Sequence, residues 1–389
     1  MLTPSLSGEL RRIEEAGLLR TLRSFECLGP NRARVDGREA VLFAGNDYLG
    51  LSQHPEVIAA ARDALERYGA SATASRLING NHALYEALEE SLAALKGTEA
   101  AIVFGSGYAA NLGLLTALAA SRRDTVLMDR LNHASLYDAA AMSPATMKRY
   151  AHRDTTALAA LLERDCGNGH TLVVTDGIFS MDGDIAPLAE LAGLARRHSA
   201  ALVVDDAHGT GVLGPDGAGS SAAAGVHPDI EIGTLSKALG SVGGFVAGDR
   251  ELIEFLVNRA RPLVFSTGLP PASLAAATTA IEIMRAEPWR RRRLAEISSR
   301  VRAELAAAGF EVPPGETPIV PLIVGDERLA TSMADACLER GVFVPAIRAP
   351  SVPKGRARLR MTLSAEHTDE QVEQAIGVLA DVRETLLRP

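Results

Sequence analysis

The sequence predicts an α/β protein whose large domain holds a mostly parallel sheet between helices and whose smaller C-terminal domain is α+β. The first observation is that short apolar segments alternate with helical segments between residues 46 and 285. This alternation is typical of parallel strands joined by crossover helices. The second is a more charged, mixed pattern beyond Pro288. We therefore predict an N-terminal arm (1–45), a large domain (46–285) and a small domain (286–389).

The individual elements follow from apolar periodicity and from helix start and stop signals. The arm contains a predicted helix over residues 6–23. In the large domain we predict strands at 101–104, 125–128, 171–175, 201–204, 230–234 and 243–247, and helices at 82–95, 109–119 and 188–197. The small domain is predicted to contain helices at 290–308 and 330–340, strands at 319–324 and 357–363, and a last helix that begins at Thr368.

Composition and charge exclude several classes of protein. The 48 acidic and 40 basic side chains give no electrostatic basis for binding nucleic acid. Three cysteines, Cys27, Cys166 and Cys337, form no metal-binding spacing. Acidic residues occur in the first 15 positions, and glycines interrupt the uncharged segment 100–121. We therefore predict neither an exported nor a membrane protein but a cytoplasmic one.

Two polar segments carry the functional prediction, because each follows a predicted buried strand. Asp205 and His208 follow the strand at 201–204, and Lys237 follows the strand at 230–234. Ligands of open α/β sheets bind at the carboxyl ends of the strands. An amine, a carboxylate and an imidazole at that edge suit pyridoxal phosphate, with the lysine in a Schiff base and the carboxylate beside the ring nitrogen.

Other interpretations of these segments remain open at the level of sequence. Asp205, Asp206 and His208 also suit a zinc or iron site. Residues 105–110 fit G-x-G-x-x-A, with Asp124 or Asp129 at the distance of a ribose contact, as in an NAD-dependent oxidoreductase. That interpretation leaves Lys237 without a role. The same glycine turn can instead hold the phosphate of pyridoxal phosphate through backbone N–H groups.

Further candidates follow other predicted strands. His133 is either a helix cap or an imidazole that stacks on a cofactor ring, and Ser180 lies in a polar turn after a strand. Arg358 and Arg360 share one face of a predicted strand. Paired arginines are usually surface charge, but a guanidinium also suits a substrate carboxylate.

Taken together, segments 132–135, 179–183, 205–209, 234–237 and 265–267 resemble those of the α-oxoamine synthases. This family consists of pyridoxal-phosphate enzymes of fold type I that join an amino acid to an acyl thioester, and the resemblance covers nearly the whole chain. It is strongest to the biotin-biosynthesis branch. The resemblance implies L-alanine and pimeloyl-CoA or pimeloyl-ACP as substrates and a homodimer with the active site at the subunit interface. The glycine-using branches, 2-amino-3-ketobutyrate ligase (glycine C-acetyltransferase) and 5-aminolevulinate synthase, are the nearest alternatives.

The resemblance also implies a role for each matching residue. Lys237 would form the Schiff base, Asp205 would pair with the ring nitrogen, and His208 would bind the phenolic oxygen. His133 would stack on the ring. Contacts to the cofactor are implied for Gly107, Tyr108, Ser180, Thr234 and, from the second subunit, Thr267. Contacts to substrate are implied for Arg20, His133, Ser351 and Arg360; Ser351 departs from some family members, which have threonine there. No metal is expected.

Overall fold

The computed structural model describes residues 3–165 and 169–387 and divides the chain into two compact units. The small unit comprises Met1–Asn46, Met181–Gly183 and Arg293–Pro389, and the large unit comprises Asp47–Ser180 and Asp184–Arg292. The predicted domain boundaries at residues 45 and 285 stay a prediction. Cys27 is exposed and Cys337 is buried, whereas Cys166 lies outside the described residues.

The chain begins in the small unit with one helix and a β-meander. Their bounds are α1 (Thr3–Glu15), β1 (Phe25–Gly29), β2 (Arg32–Val35) and β3 (Arg38–Leu42). The predicted helix over 6–23 is wrong in its length, because the helix ends at Glu15. Gly17 adopts a left-handed backbone with φ 68°, and the N–H of Leu18 bonds to the carbonyl of Ile13. This is a glycine-terminated helix end.

The large unit contains one seven-stranded sheet and most of the helices. The strands are β4 (Ala100–Phe104), β5 (Thr125–Asp129), β6 (Thr146–Tyr150), β7 (Thr171–Asp176), β8 (Ala201–Asp205), β9 (Ile230–Thr234) and β10 (Gly244–Gly248). The helices are α2 (Pro55–Tyr68), α3 (Ala83–Lys96), α4 (Gly107–Leu118), α5 (Ala134–Met142), α6 (Thr155–Asp165), α7 (Leu188–Arg197), α8 (Ser220–Ala223), α9 (Arg250–Arg259), α10 (Arg261–Val264) and α11 (Pro271–Ala286).

The strand order is β4-β10-β9-β8-β7-β5-β6. Strands β5 to β9 pair in parallel, and β10 lies antiparallel between β4 and β9. The six predicted strands are each found within one residue at either end, whereas β6 was not predicted. The mostly parallel sheet brings the loops after β5, β7, β8 and β9 to one edge.

Both faces of the sheet are covered by helices. Val203 packs on the face that contains Leu114 of α4 and Leu136 of α5, whereas the neighbouring Val204 packs on the face that contains Leu162 and Leu191. Neighbouring residues of a strand point to opposite faces. The near-continuous apolar runs in the sequence are therefore the mark of strands buried on both sides.

The remainder of the chain forms α12 (Trp289–Ala307), β11 (Ile319–Gly325), α13 (Glu327–Glu339), β12 (Val342–Phe343), β13 (Ala346–Ile347), β14 (Ala357–Thr362) and α14 (Asp369–Leu387). In the small unit β11, β14 and β13 form a three-stranded sheet. β12 joins the N-terminal meander by pairing in parallel with β3. The N-terminal segment is thus part of the same folded unit as the C-terminal one.

Candidate functional site

A cavity of about 240 Å³ lies in the large unit at the carboxyl ends of the central strands. Its walls come from the start of α4 and from the loops that follow β5, β7, β8 and β9. Eight of the predicted cofactor residues line it: Gly107, Tyr108, His133, Ser180, Asp205, His208, Thr234 and Lys237. The structure therefore brings together residues that are up to 130 positions apart in the chain.

The start of α4 forms one end of the cavity. Ser106 caps the helix by accepting a hydrogen bond from the N–H of Ala109 at 3.0 Å. The backbone N–H groups of Gly107 and Tyr108 belong to the first turn of the helix, where no carbonyl of the helix can accept from them. They therefore face outward from the helix end. A Cβ at Gly244 would lie 2.5 Å from the backbone of Gly107. Glycine at 244 thus lets β10 approach this helix end closely, and the end is suited to bind an anion.

The loop after β8 supplies a carboxylate and an imidazole. Asp205 accepts hydrogen bonds from Asn111 Nδ2 at 2.8 Å and from the N–H of Ala207 at 3.1 Å. The Nδ1 of His208 lies 2.7 Å from the hydroxyl of the fully buried Tyr48. Both side chains are therefore held in fixed orientations at the cavity wall.

Asp206, between these two residues, has a different environment. Its Oδ2 lies 2.7 Å from Nζ of Lys96, and Lys96 Nζ lies another 2.7 Å from Oε2 of Glu231. The side chains of Lys96 and Asp206 have no exposed surface. Burial and the neighbouring Asp206 raise the pKa of Glu231. We call Lys96, Asp206 and Glu231 the buried triad; it connects the end of β8 to the beginning of β9.

His133 is the N-cap of α5 and contacts the cavity from the loop after β5. Its backbone N–H donates to the Asp176 carboxylate at 3.1 Å. Packing around the imidazole lowers the pKa of His133, Asp205 opposes this, and the Lys237 amine lowers it further. Burial, followed by the nearby Asp205, raises the pKa of Asp176. Burial therefore favours the neutral form of the His133 imidazole.

The loop after β9 presents hydroxyls and an amine. Thr234 Oγ1 donates to the carbonyl of Gly243 at 2.8 Å and accepts from the N–H of Ser236 at 3.2 Å. Lys237 is partly buried and lines the cavity. Because its amine shares the cavity with the Asp205 carboxylate, the two groups needed at opposite ends of a small aromatic ligand are present in one site.

Four predicted site residues lie outside the cavity. Thr267 is exposed and forms an isolated bridge with Ser75 in the large unit. Arg20 and Ser351 line one groove of about 720 Å³ in the small unit. Arg360 is buried on β14 of that unit, and its backbone N–H donates to the carbonyl of Pro345.

Sequence reasoning missed Asn111, Ser135, Asp176 and Tyr48, although the first three line the cavity and the last bonds to His208. Asn111 falls inside a predicted helix, where a single polar residue gives no signal. Asp176 directly follows a predicted strand, as Asp205 does, so its position after the strand was a usable signal.

The competing interpretations find little support. Among the described residues, no three His, Cys, Asp or Glu side chains are grouped as metal ligands. The Asp124 carboxylate accepts backbone N–H groups of Ser121 and His170. The Asp129 carboxylate bonds to the N–H of Leu131 and to His152. Neither acid is available to a ribose, which weakens the dinucleotide interpretation.

Comparison with known proteins identifies the family. A model of the family described as aminotransferase class I and II matches residues 38–379. The chain belongs to this family. A protein of Trichlorobacter lovleyi named 8-amino-7-oxononanoate synthase is 49% identical over 381 residues, 97% of each chain. One of Geobacter sulfurreducens with the same name is 48% identical and covers 99% of each chain.

Solved structures confirm the predicted fold. A serine palmitoyltransferase from Sphingomonas wittichii superimposes with a TM-score of 0.93 at 35% identity, covering 98% of this chain and 97% of that one. The 8-amino-7-oxononanoate synthase of Francisella tularensis gives 0.75 at 28% identity, covering 88% and 97%. The resemblance to the α-oxoamine synthases is thereby confirmed. In the described part of the chain, no helix has the length and apolar character needed to cross a bilayer.

Proposed function

We propose that the protein catalyses the decarboxylative condensation of L-alanine with a pimeloyl thioester to give 8-amino-7-oxononanoate in biotin biosynthesis. The thiol carrier is coenzyme A or acyl carrier protein. The observation that carries the proposal is the single cavity that joins Lys237, Asp205, His208 and His133. The relatives that bear this activity in their names support the choice of substrates.

The cavity fits pyridoxal phosphate. The outward N–H groups at the start of α4, and the glycine contact that keeps this end open, suit the phosphate. Asn111 Oδ1 is buried without a hydrogen-bond partner in the described residues, as expected beside a polar ligand. When bound, the cofactor supplies an aldehyde that captures amines and a ring that accepts electron pairs from the amino acid.

Within this proposal the residues have the following roles. Lys237 would hold the cofactor covalently, and its free amine would take the proton from the α-carbon of alanine. Asp205 would keep the ring nitrogen protonated, and His208 would donate to the phenolic oxygen. His133 would stack on the ring and donate to the thioester oxygen. Gly107, Tyr108, Ser180 and Thr234 hold the phosphate and ring, with Thr267 acting from a second subunit.

The groove in the small unit supports a dicarboxylic acyl substrate. Leu18, Leu22 and Phe343 give it apolar walls, which suit a methylene chain. Arg23, also in the groove, is neutralised by Asp36 and Asp335 at 3.1 and 2.7 Å. Arg20 is exposed and forms no ion pair within the described residues.

We propose that Arg20 binds the far carboxylate of the pimeloyl chain, beside Ser351. Its neighbour Arg348 is unsuited to that task, because its guanidinium donates to the carbonyls of Gly17 and Leu19. A long unsubstituted acyl chain, as in the name serine palmitoyltransferase, has no such carboxylate. Arg20 therefore separates the two substrate classes.

The amino-acid carboxylate is assigned to Arg360, and Arg358 is excluded from that task. Arg358 is 1% exposed and donates to the carboxylate of Asp182 at 2.5 Å and to the carbonyl of Met181 at 3.1 Å. A guanidinium already bonded to a carboxylate is not available to a second one.

A homodimer and a cytoplasmic location complete the proposal. Large apolar side chains are exposed on the loops joined by the Ser75–Thr267 bridge: Leu77 at 54%, Ile78 at 78% and Phe265 at 70%. Exposed apolar surface of this kind marks protein–protein contacts, and a second copy of the chain would cover it. Size-exclusion chromatography with light scattering tests the dimer.

The decisive experiment combines cofactor trapping with a substrate matrix. Borohydride should fix the cofactor to the peptide that contains Lys237. Alanine, glycine and serine are then assayed against pimeloyl-, acetyl- and palmitoyl-CoA by thiol release. We expect turnover with alanine and pimeloyl-CoA, and Arg20→Gln should lower kcat/KM for pimeloyl-CoA about 10–100-fold, the range for loss of a charged hydrogen bond.

The matched control is Arg11→Gln on helix α1, which is exposed and outside the groove. Preference for glycine with acetyl-CoA, or for serine with palmitoyl-CoA, would overturn the choice of substrates. Labelling at a lysine other than Lys237 would overturn the site itself.

A further inference from the structure

A chain of hydrogen bonds connects Asp205 to His133 through two residues to which the proposed function gives no task. Asn111 Nδ2 lies 2.8 Å from Asp205 Oδ2 and 2.8 Å from Ser135 Oγ. Ser135 Oγ lies 2.7 Å from Nδ1 of His133. Asn111 and Ser135 are each 1% exposed, so water does not compete for these bonds. We call these four residues the relay.

The donor in each bond of the relay follows from chemistry. A carboxylate only accepts, so the Asn111 atom that faces Asp205 is the amide nitrogen, and this nitrogen only donates. Ser135 Oγ therefore accepts from Asn111, and its own hydrogen is left for the remaining neighbour, His133 Nδ1. The two bonds on the His133 side then run in one direction, from the amide to the hydroxyl to the imidazole, and the second N–H of the amide donates to Asp205.

The backbone supports the same direction independently. The N–H of Ser135 points to Nδ1 of His133 at 3.3 Å, and a backbone N–H cannot accept. Two donors thus face Nδ1, which must present its lone pair, and the ring proton is on Nε2. In the described part of the chain Nε2 makes no hydrogen bond of its own, so it remains for a ligand.

We propose that Asn111 and Ser135 are positioning residues that hold His133 as the neutral Nε2–H tautomer and fix its orientation relative to Asp205. The use of that N–H as a donor to the thioester oxygen rests on the proposed function, whereas the tautomer does not. A hydrogen bond donated to Nδ1 favours the neutral ring over the charged one. The charged groups that face His133 are Asp205, Lys237, Asp138 and, at its backbone, Asp176.

The direct test is two-bond ¹H–¹⁵N correlation spectroscopy on holoenzyme with labelled histidine, which distinguishes the two tautomers. The nine histidines require assignment of His133 by its absence in His133→Asn. We expect the Nε2–H pattern in the unmodified protein. An Nδ1–H pattern would overturn the proposal without any variant, so the test does not depend on whether a variant folds.

Ser135→Ala then tests the relay. The midpoint of the His133 titration should rise by about half a pH unit or more, because the donor to the neutral ring is lost. The kcat should fall about tenfold, the effect of one hydrogen bond, while KM for alanine stays within about twofold, because the alanine carboxylate is assigned to Arg360. Ser135→Thr keeps the hydroxyl and should restore both values.

Ser143→Ala is the matched control, since Ser143 caps the other end of α5 and bonds to the carbonyl of Ala140. A purely structural role for Ser135 would lower thermal stability and leave the midpoint unchanged, and that result would overturn the proposal. Failure of the proposed function is recognised separately: a preparation that retains the Nε2–H pattern would then release thiol from none of the acyl donors.

Discussion

Replacing Lys96 by Met should destabilise the large unit strongly. Nζ of Lys96 lies 2.7 Å from each of Asp206 Oδ2, Glu231 Oε2 and the carbonyl of Ala218. Methionine keeps the apolar stem and removes the charge, so two carboxylates remain opposite each other without a cation. Removing one partner of a buried ion pair costs about 3–5 kcal/mol of the free energy of unfolding.

The structure places the expected loss near the lower end of that range. The Asp206 carboxylate retains bonds from the N–H of Ser220 at 3.1 Å and from the hydroxyl of Thr210 at 3.2 Å. Glu231, whose pKa is already raised by burial, can take up a proton and remove one charge. We therefore expect a loss of about 3 kcal/mol in Lys96→Met.

Urea unfolding of the apoprotein, followed by fluorescence and circular dichroism, measures the loss. The double variant Lys96→Met/Asp206→Asn should lose clearly less than the sum of the single variants, because the two groups interact directly. Lys354→Met, in an exposed turn of the small unit, should change stability by less than about 0.5 kcal/mol. A loss below about 1 kcal/mol in Lys96→Met, or additive single losses, would refute the assignment of the buried triad as an anchor.

Three further predictions concern pH, packing and substrate binding. Burial lowers the pKa of His152, but hydrogen bonds to Asp129 and Asp184 at 3.0 and 2.8 Å raise it by more, to about 9. The contribution of the charged His152 to the free energy of unfolding is therefore complete below about pH 6.5 and is lost as the pH rises through about 9. The stability difference between the protein and His152→Gln should shrink by about 1–2 kcal/mol between pH 7 and pH 10, whereas a constant difference would contradict this. Gly244→Ala should weaken pyridoxal phosphate binding by about tenfold or more, because Cβ would displace Gly107 by several tenths of an ångström. Gly377→Ala, with no atom within 4 Å of the added Cβ, is the control, and equal cofactor affinity in both variants would contradict a role for the close Gly244–Gly107 contact in cofactor binding. Arg360→Gln should raise KM for alanine about tenfold or more, whereas Arg358→Gln should lower stability and leave that KM unchanged; the reverse outcome would exchange their roles.

The fold was predictable from the sequence where burial decides it. The segment 230–234 has β-branched residues at alternate positions, Ile230, Ile232 and Thr234, and the strand found there has the predicted bounds. The antiparallel direction of β10 was not predictable, because the apolar pattern of 243–247 is the same in either direction. The end of α1 was missed because apolar spacing continued past Gly17, whose left-handed backbone ends the helix.

For the site, the sequence located strand ends but not side-chain neighbours. The sequence does not distinguish the roles of the adjacent Asp205 and Asp206. Only the structure shows that Asp206 pairs with Lys96. Arg358 and Arg360 share a face of β14, and only the structure shows that the carboxylate of Asp182, 176 positions away, bonds to Arg358. Asn111 was missed because its partners, Ser135 and Asp205, come from two other elements.

The position of β10 has a consequence for synthesis on the ribosome. β10 separates β4 from β9, and its residues are made about 140 positions after those of β4. Until residue 248 has left the exit tunnel, β4 has no neighbouring strand in the sheet. Helix α4, which follows β4, then cannot pack beside the loop that contains Lys237. Binding of pyridoxal phosphate is thus a late event in synthesis, and a polypeptide released before that point cannot bind it.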